Sequence, residues 1–141
     1  MPMCDDDLKR FSGVIPPVII PLKGDRTLDR EAFKVSIDRM IDAGVTGLFF
    51  LGSSGEVVFL TDEQRMEVLS VALEIVDGRV PVLVGIIDME TMRVIDQAKR
   101  VSQLPIDALV ATAPFYALGG PHENERDFRQ CGGHSVLTLF A

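Results

Sequence analysis

The 141-residue sequence contains no tryptophan, one tyrosine, two cysteines and two histidines. Cys4 and Cys131 stand far apart with no Cys-x-x-Cys pair. They read as reduced thiols rather than as a disulfide framework or a zinc site. His122 and His134 have no partners at metal-ligand spacing, so neither a metal nor another cofactor is expected. No apolar run reaches the ~20 residues of a membrane helix, and no signal-peptide pattern precedes the first apolar run. A cytoplasmic protein without a membrane partner is therefore expected. Positive charge is scarce as well: 14 Lys and Arg stand against 21 Asp and Glu, for a net charge of -7. That balance disfavours nucleic acid as a partner.

What is present is ordinary for a globular chain, with 47% hydrophobic and 25% charged residues. Residues 1–12, which include Asp5-Asp6-Asp7, read as a flexible tail, and residues 13–141 as one domain. Val18 to Leu22 reads as an irregular first strand, because its neighbouring prolines deny ladder bonds. Asp29 caps a helix carrying Phe33, Ile37, Met40 and Ile41 at helical spacing, and Gly44 ends it. Gly47 to Leu51 is a second strand. Thr61-Asp62-Glu63-Gln64 has the form of a capping box opening a second helix, with Leu69, Ala72, Leu73 and Val76 inward and Gly78 at its close. Val80 to Ile86 is a third strand. Asp88 is expected to cap a third helix with Val94, Ile95, Ala98 and Val101 inward. Ala108 to Ala113 is a fourth strand, followed by a glycine-rich loop (117–122), a short helix (123–130) and a fifth strand over 136–141.

Strands and helices thus alternate at about 30 residues, the length of one βα unit. The strands are apolar throughout, as strands covered on both faces are. The fold class is α/β, with parallel strands and outer helices. Two architectures fit: a doubly wound open sheet, or a partial TIM (β/α)8 barrel of four βα units plus a fifth strand. A complete barrel takes about 250 residues. In both, ligands gather at the carboxyl ends of the strands.

One such end is Gly52-Ser53-Ser54-Gly55-Glu56. Small residues admit close backbone approach, successive N–H groups can hold an anion, and two hydroxyls add donors. The same residues also make a plain turn in which serines satisfy local backbone groups. No Gly-Lys-Ser/Thr follows, and the glycine spacing is not that of a dinucleotide fingerprint. Tyr116, after the fourth strand, reads either as a packing residue or as a proton relay. Lys23 lies in the polar turn Lys23-Gly24-Asp25-Arg26, a poor setting for an amine nucleophile, and Lys34 and Lys99 lie on helices. Spacing alone yields an anion site and a tyrosine without a nucleophile.

The motifs Val18-Ile19-Ile20-Pro21, Ala43-Gly44-Val45-Thr46-Gly47, Gly52-Ser53-Ser54-Gly55-Glu56, Thr61-Asp62-Glu63, Asp77-Gly78-Arg79-Val80-Pro81-Val82 and Ala113-Pro114-Phe115-Tyr116 occur in that order. With them the chain resembles the amino-terminal half of the dihydrodipicolinate synthase and N-acetylneuraminate lyase family of class I, Schiff-base aldolases. The resemblance implies a (β/α)8 barrel acting on pyruvate or another 2-oxo acid, by aldol cleavage, condensation or dehydration. It implies that Gly52, Ser53, Ser54 and Gly55 bind the substrate carboxylate. It further implies that Ser53 and Tyr116 belong to a hydroxyl relay, Tyr116 reaching across a dimer interface of a homo-oligomer (dimer or tetramer). The family's Schiff-base lysine and its second relay tyrosine are expected beyond Ala141, so the chain alone is expected to be inactive. The alternatives are a non-catalytic half-barrel or interaction fragment, which would expose its inner face and self-associate, and a flavodoxin-like phosphate-binding domain.

Overall fold

The computed structural model describes residue 9, residues 11–112 and, for the backbone, residues 136–138. Residues 1–8 and 10 of the expected tail, the Pro114-Phe115-Tyr116 segment, the glycine-rich loop, the short helix at 123–130, both cysteines and both histidines lie outside the described residues.

The described elements are α1 (Arg30–Asp42), β1 (Leu48–Phe50), α2 (Asp62–Val76), β2 (Val82–Gly85), α3 (Thr91–Val101), β3 (Ala108–Ala111) and β4 (Val136–Thr138). Helix α1 begins where the Asp29 carboxylate accepts from the Ala32 N–H at 3.0 Å. Helix α2 begins with the expected reciprocal pair: the Gln64 N–H donates to the Thr61 hydroxyl and the Thr61 N–H to the Gln64 side chain. Gly44 and Gly78, at φ +84° and +68°, follow α1 and α2 in the left-handed region where a side chain is strained.

All four strands are parallel and lie in the order β1-β2-β3-β4. The residues ahead of α1 add to the same edge: Pro17 bridges Phe49 in parallel, with the Val18 N–H donating to the Phe49 carbonyl at 2.8 Å. Spatial order therefore follows chain order without reversal. A doubly wound sheet reverses at a switch point, whereas a barrel is wound in one direction. The order is that of a barrel segment.

Two expectations are corrected. The first strand, read as Val18 to Leu22, is only the bridge at Pro17. Pro16, Pro17 and Pro21 have no N–H to give a ladder, and Leu22 turns away to an antiparallel bridge with Leu28. Asp88 does not cap the third helix. Glu90 does, its carboxylate accepting from the Arg93 N–H at 2.9 Å.

Alternate strand residues serve two cores. Leu48, Phe50, Val82, Val84, Leu109 and Ala111 pack with helix residues such as Phe33, Ile37, Leu69, Val94 and Ala98. Phe33 meets Phe50 edge to face, with ring centroids 6.0 Å apart. On the opposite face Leu83, Ala108 and Val110 form a second cluster packed by Phe11, Ile15 and Phe49. The inner face expected to stand open is thus covered there from within the chain. Among the described residues no helix is long and apolar enough to cross a membrane.

Candidate functional site

The carboxyl end of β1 is built by an abrupt change of backbone direction. Leu51 is held at φ 56° and Glu56 at φ 52°, both in the left-handed region. Between them Ser53–Gly55 forms one turn of 3-10 helix, closed by Gly55 N–H to Gly52 carbonyl (3.1 Å) and Glu56 N–H to Ser53 carbonyl (2.9 Å). A second such turn, Val57–Phe59, delivers the chain to the Thr61 cap of α2.

Two glycines let this turn sit where it does. A Cβ on Gly52 would lie 2.7 Å from Cε1 of the Phe49 ring. A Cβ on Gly85, at the end of β2, would overlap the Leu51 carbonyl, whose carbon would be only 2.9 Å away. The absence of a side chain at 85 is what allows the left-handed Leu51 to fold over the end of β2.

Gly52 and Gly55 are buried, while Ser53 and Ser54 are exposed. The turn's own hydrogen bonds take the N–H groups of Gly55 and Glu56. Among the described residues, the N–H and hydroxyl groups of Ser53 and Ser54 make no hydrogen bond to protein. Two adjacent N–H groups and two hydroxyls on one rigid turn form a donor set suited to a carboxylate. The plain-turn reading required the serines to satisfy local backbone groups, and they do not. The expected cradle residues Gly52, Ser53, Ser54 and Gly55 are thus brought together, whereas Tyr116 lies outside the described residues.

The turn is braced from outside. Arg26 donates to the Phe59 carbonyl at 3.3 Å, and Gln64 donates to the Arg26 carbonyl at 3.3 Å. Lys23 is exposed in the expected turn, its carbonyl accepting from the Arg26 N–H. Asp25, beside it, is held below the usual carboxylate range chiefly by hydrogen bonds from the Thr27 hydroxyl and N–H.

At the end of β2, Ile86 and Ile87 are buried and Asp88 is engaged by its neighbours. Its carboxylate accepts from Arg93 Nε (2.9 Å), Gln97 Nε2 (3.1 Å) and the Met89 N–H (2.8 Å). The bond to Asp88 raises the pKa of Arg93. Sequence reasoning also missed Arg65, a buried cation on α2, and the left-handed Leu51, which no residue type announces. No group of three or more metal-ligating side chains occurs among the described residues.

The Dihydrodipicolinate synthetase family profile matches residues 10–134. The chain belongs to that family. It is 38% identical over 132 residues to a probable 2-dehydro-3-deoxy-D-pentonate aldolase, YjhH, of Escherichia coli K12, covering 94% of this chain and 44% of that protein. It is 35% identical over 106 residues to a 4-hydroxy-tetrahydrodipicolinate synthase of Salinibacter ruber, covering 75% of this chain and 35% of the relative. Among solved structures it superposes on YagE of E. coli K12, a dihydrodipicolinic acid synthase family member crystallised with pyruvate. That match has a TM-score of 0.86 at 34% identity over 92% of this chain and 44% of YagE. The chain therefore spans less than half the length of these relatives. Its fold is a partial (β/α)8 barrel, as the strand order indicated, and the flavodoxin-like alternative falls with the doubly wound sheet.

Proposed function

We propose that the chain carries the carboxylate-binding part of a lyase or synthase that acts on pyruvate or another 2-oxo acid through a lysine Schiff base. The observation that supports this most directly is the unengaged donor set of Ser53 and Ser54 at the carboxyl end of β1. Family members include aldolases and synthases by name, and one was crystallised with pyruvate. In this reading the substrate carboxylate accepts from the Ser53 and Ser54 N–H groups and hydroxyls. That contact fixes the 2-oxo carbon relative to the barrel axis, and orientation of this kind is a large part of rate enhancement. Ser53 then passes protons within a relay that includes Tyr116, since linked hydroxyls move a proton without a charged base. All four lysines of the chain, Lys9, Lys23, Lys34 and Lys99, are exposed, a poor setting for the iminium nucleophile, so in this reading the 141-residue chain binds its ligand without turning it over. The cytoplasmic location and homo-oligomeric state are part of the same proposal.

The test is a titration of the chain with pyruvate, followed by borohydride trapping. Saturable binding without a reducible adduct is expected. A stable pyruvate adduct on this chain would show that one of its own lysines is the nucleophile. Absence of any binding would remove the carboxylate reading of the turn.

A further inference from the structure

The inner face of the sheet carries an exposed apolar side chain beside the cradle. Val18 and Ile20, 1% and 8% exposed, point into the core beneath the helices, whereas Ile19 between them is 66% exposed. Successive residues of an extended segment point to opposite faces. The bridge between Pro17 and Phe49 fixes which face Ile19 takes, since Phe49 packs on the inner cluster of Leu83, Ala108 and Val110. Ile19 therefore lies on the inner face, two residues beyond that bridge and level with Leu51, which directly precedes the cradle. The residues on either side of it pack against the far end of the cradle. A Cβ on Gly55 would lie 3.1 Å from Ile20 Cδ1 and 3.2 Å from the Val18 carbonyl oxygen.

The surroundings of the cradle on this face are apolar. The Phe49 ring lies against Gly52, and Leu83 and Gly85 of β2 offer no side-chain hydrogen-bonding group. In a 2-oxo acid held by the Ser53 and Ser54 donors, carbon 3 stands about 2.5 Å from the carboxyl carbon, two C–C bonds away. Neighbouring strands are about 4.8 Å apart. A side chain at the same level on the adjoining strand is thus within contact distance of carbon 3 and the group it bears. Closing a barrel covers the free edge of its first strand, yet side chains at the carboxyl end of the inner face still line the ligand site.

We propose that Ile19 is a specificity-determining residue: with the Phe49 ring it forms an apolar wall for the carbon-3 end of a 2-oxo acid bound at the cradle. The site then takes 2-oxo acids that carry hydrocarbon on carbon 3 in preference to those that carry a hydroxyl there. A hydroxyl against this wall gives up its water and gains no partner, which weakens binding. A methyl group in the same place gains by leaving water. The inference rests on the carboxylate reading of the turn, and adds which part of the ligand the neighbouring strand selects.

The experiment measures the dissociation constants of the 141-residue chain for 2-oxobutyrate and 3-hydroxypyruvate, which differ only in a methyl or a hydroxyl on carbon 3. The parent chain should bind 2-oxobutyrate about tenfold more tightly or better, within the discrimination that an apolar pocket achieves between a methyl and a hydroxyl. Ile19→Leu should keep that ratio, and Ile19→Ser should bring it to about threefold or less, since a hydroxyl then meets a hydroxyl. Ser53→Ala should weaken both acids alike and leave the ratio unchanged, because it removes a donor to the carboxylate they share. Equal affinity for the two acids in the parent chain, or a ratio that Ile19→Ser leaves unchanged, overturns the proposal while the carboxylate reading stands. Failure of the parent chain to bind either acid or pyruvate overturns the carboxylate reading and this inference with it. Ile19 is mostly exposed, so the fold should tolerate its replacement. Should Ile19→Ser not fold, Ile19→Thr, which keeps the branched shape and adds a hydroxyl, decides by the same ratio.

Discussion

The ends of β1 and β2 are adjacent in the sheet and opposite in character. Each follows a strand of apolar residues and each ends in polar side chains. At the end of β2 the polar group is engaged within the protein: Asp88 accepts three hydrogen bonds and stands beneath Arg93 and Gln97. At the end of β1 the serines remain outside the turn's own bonds, while the buried parts of the turn are glycine. The contrast separates a polar group that the fold uses from donors that it leaves unused. Strand ends of a barrel supply both roles, and hydrogen-bond satisfaction distinguishes them better than residue type.

Gly85 connects the two ends, and its substitution should have the largest effect. In Gly85→Val the new side chain would occupy the place of the Leu51 carbonyl. Neither side can yield cheaply, since one is a strand end and the other a left-handed turn. Destabilisation of roughly 3 kcal/mol or more is expected, as for severe overpacking, read as a fall in the denaturation midpoint. Retention of wild-type stability would mean that Leu51 is not fixed over β2, and the separation of the two ends would lose its basis.

Asp88→Ala should have an intermediate effect. It removes the acceptor of Arg93 and Gln97 but leaves the Glu90 cap of α3 intact. Arg93 is well exposed and can turn to water, so the cost should be about 1–2 kcal/mol, dominated by the partly buried Gln97 contact. Urea denaturation measures this cost. If the substitution instead abolished pyruvate binding while stability held, Asp88 would belong to the ligand site and the two strand ends would not differ as described.

Much of this arrangement was legible in the sequence, and the exceptions have physical reasons. The Thr61–Gln64 box and the Asp29 cap are local patterns, complete within four residues, and both form as expected. The cores of β2 and β3 were visible as unbroken apolar runs. Asp88 was read as a cap because an acid before a helix usually is one. Glu90 lies two residues nearer the helix, and Arg93 and Gln97, one to two turns along it, draw Asp88 away. Pro16, Pro17 and Pro21 were recognised as obstacles to a first strand, and they reduce it further than expected, to one bridge. Leu51 and Arg65 were unreadable. A leucine has no preference for left-handed backbone, and an arginine at the start of an amphipathic helix ordinarily faces solvent; only the proximity of β1, β2 and α3 buries it.

The smallest effect on stability should come from the serines, and that makes them the sharpest test of the contrast. Ser53 and Ser54 are exposed, neither hydroxyl holds the turn, and the two closing hydrogen bonds use main-chain groups alone. Ser53→Ala and Ser54→Ala should therefore leave the denaturation midpoint within about 0.5 kcal/mol of the parent, as surface substitutions usually do. Binding should respond differently. Each hydroxyl removed takes one donor from a bound carboxylate, a bond to a charged group worth about 1.5–3 kcal/mol, so pyruvate affinity should fall about tenfold or more. A double substitution should weaken binding further while the turn keeps its exchange protection, because the Ser53 and Ser54 N–H groups survive. Loss of stability in place of affinity would make the hydroxyls structural, and the end of β1 would then be of the same kind as the end of β2.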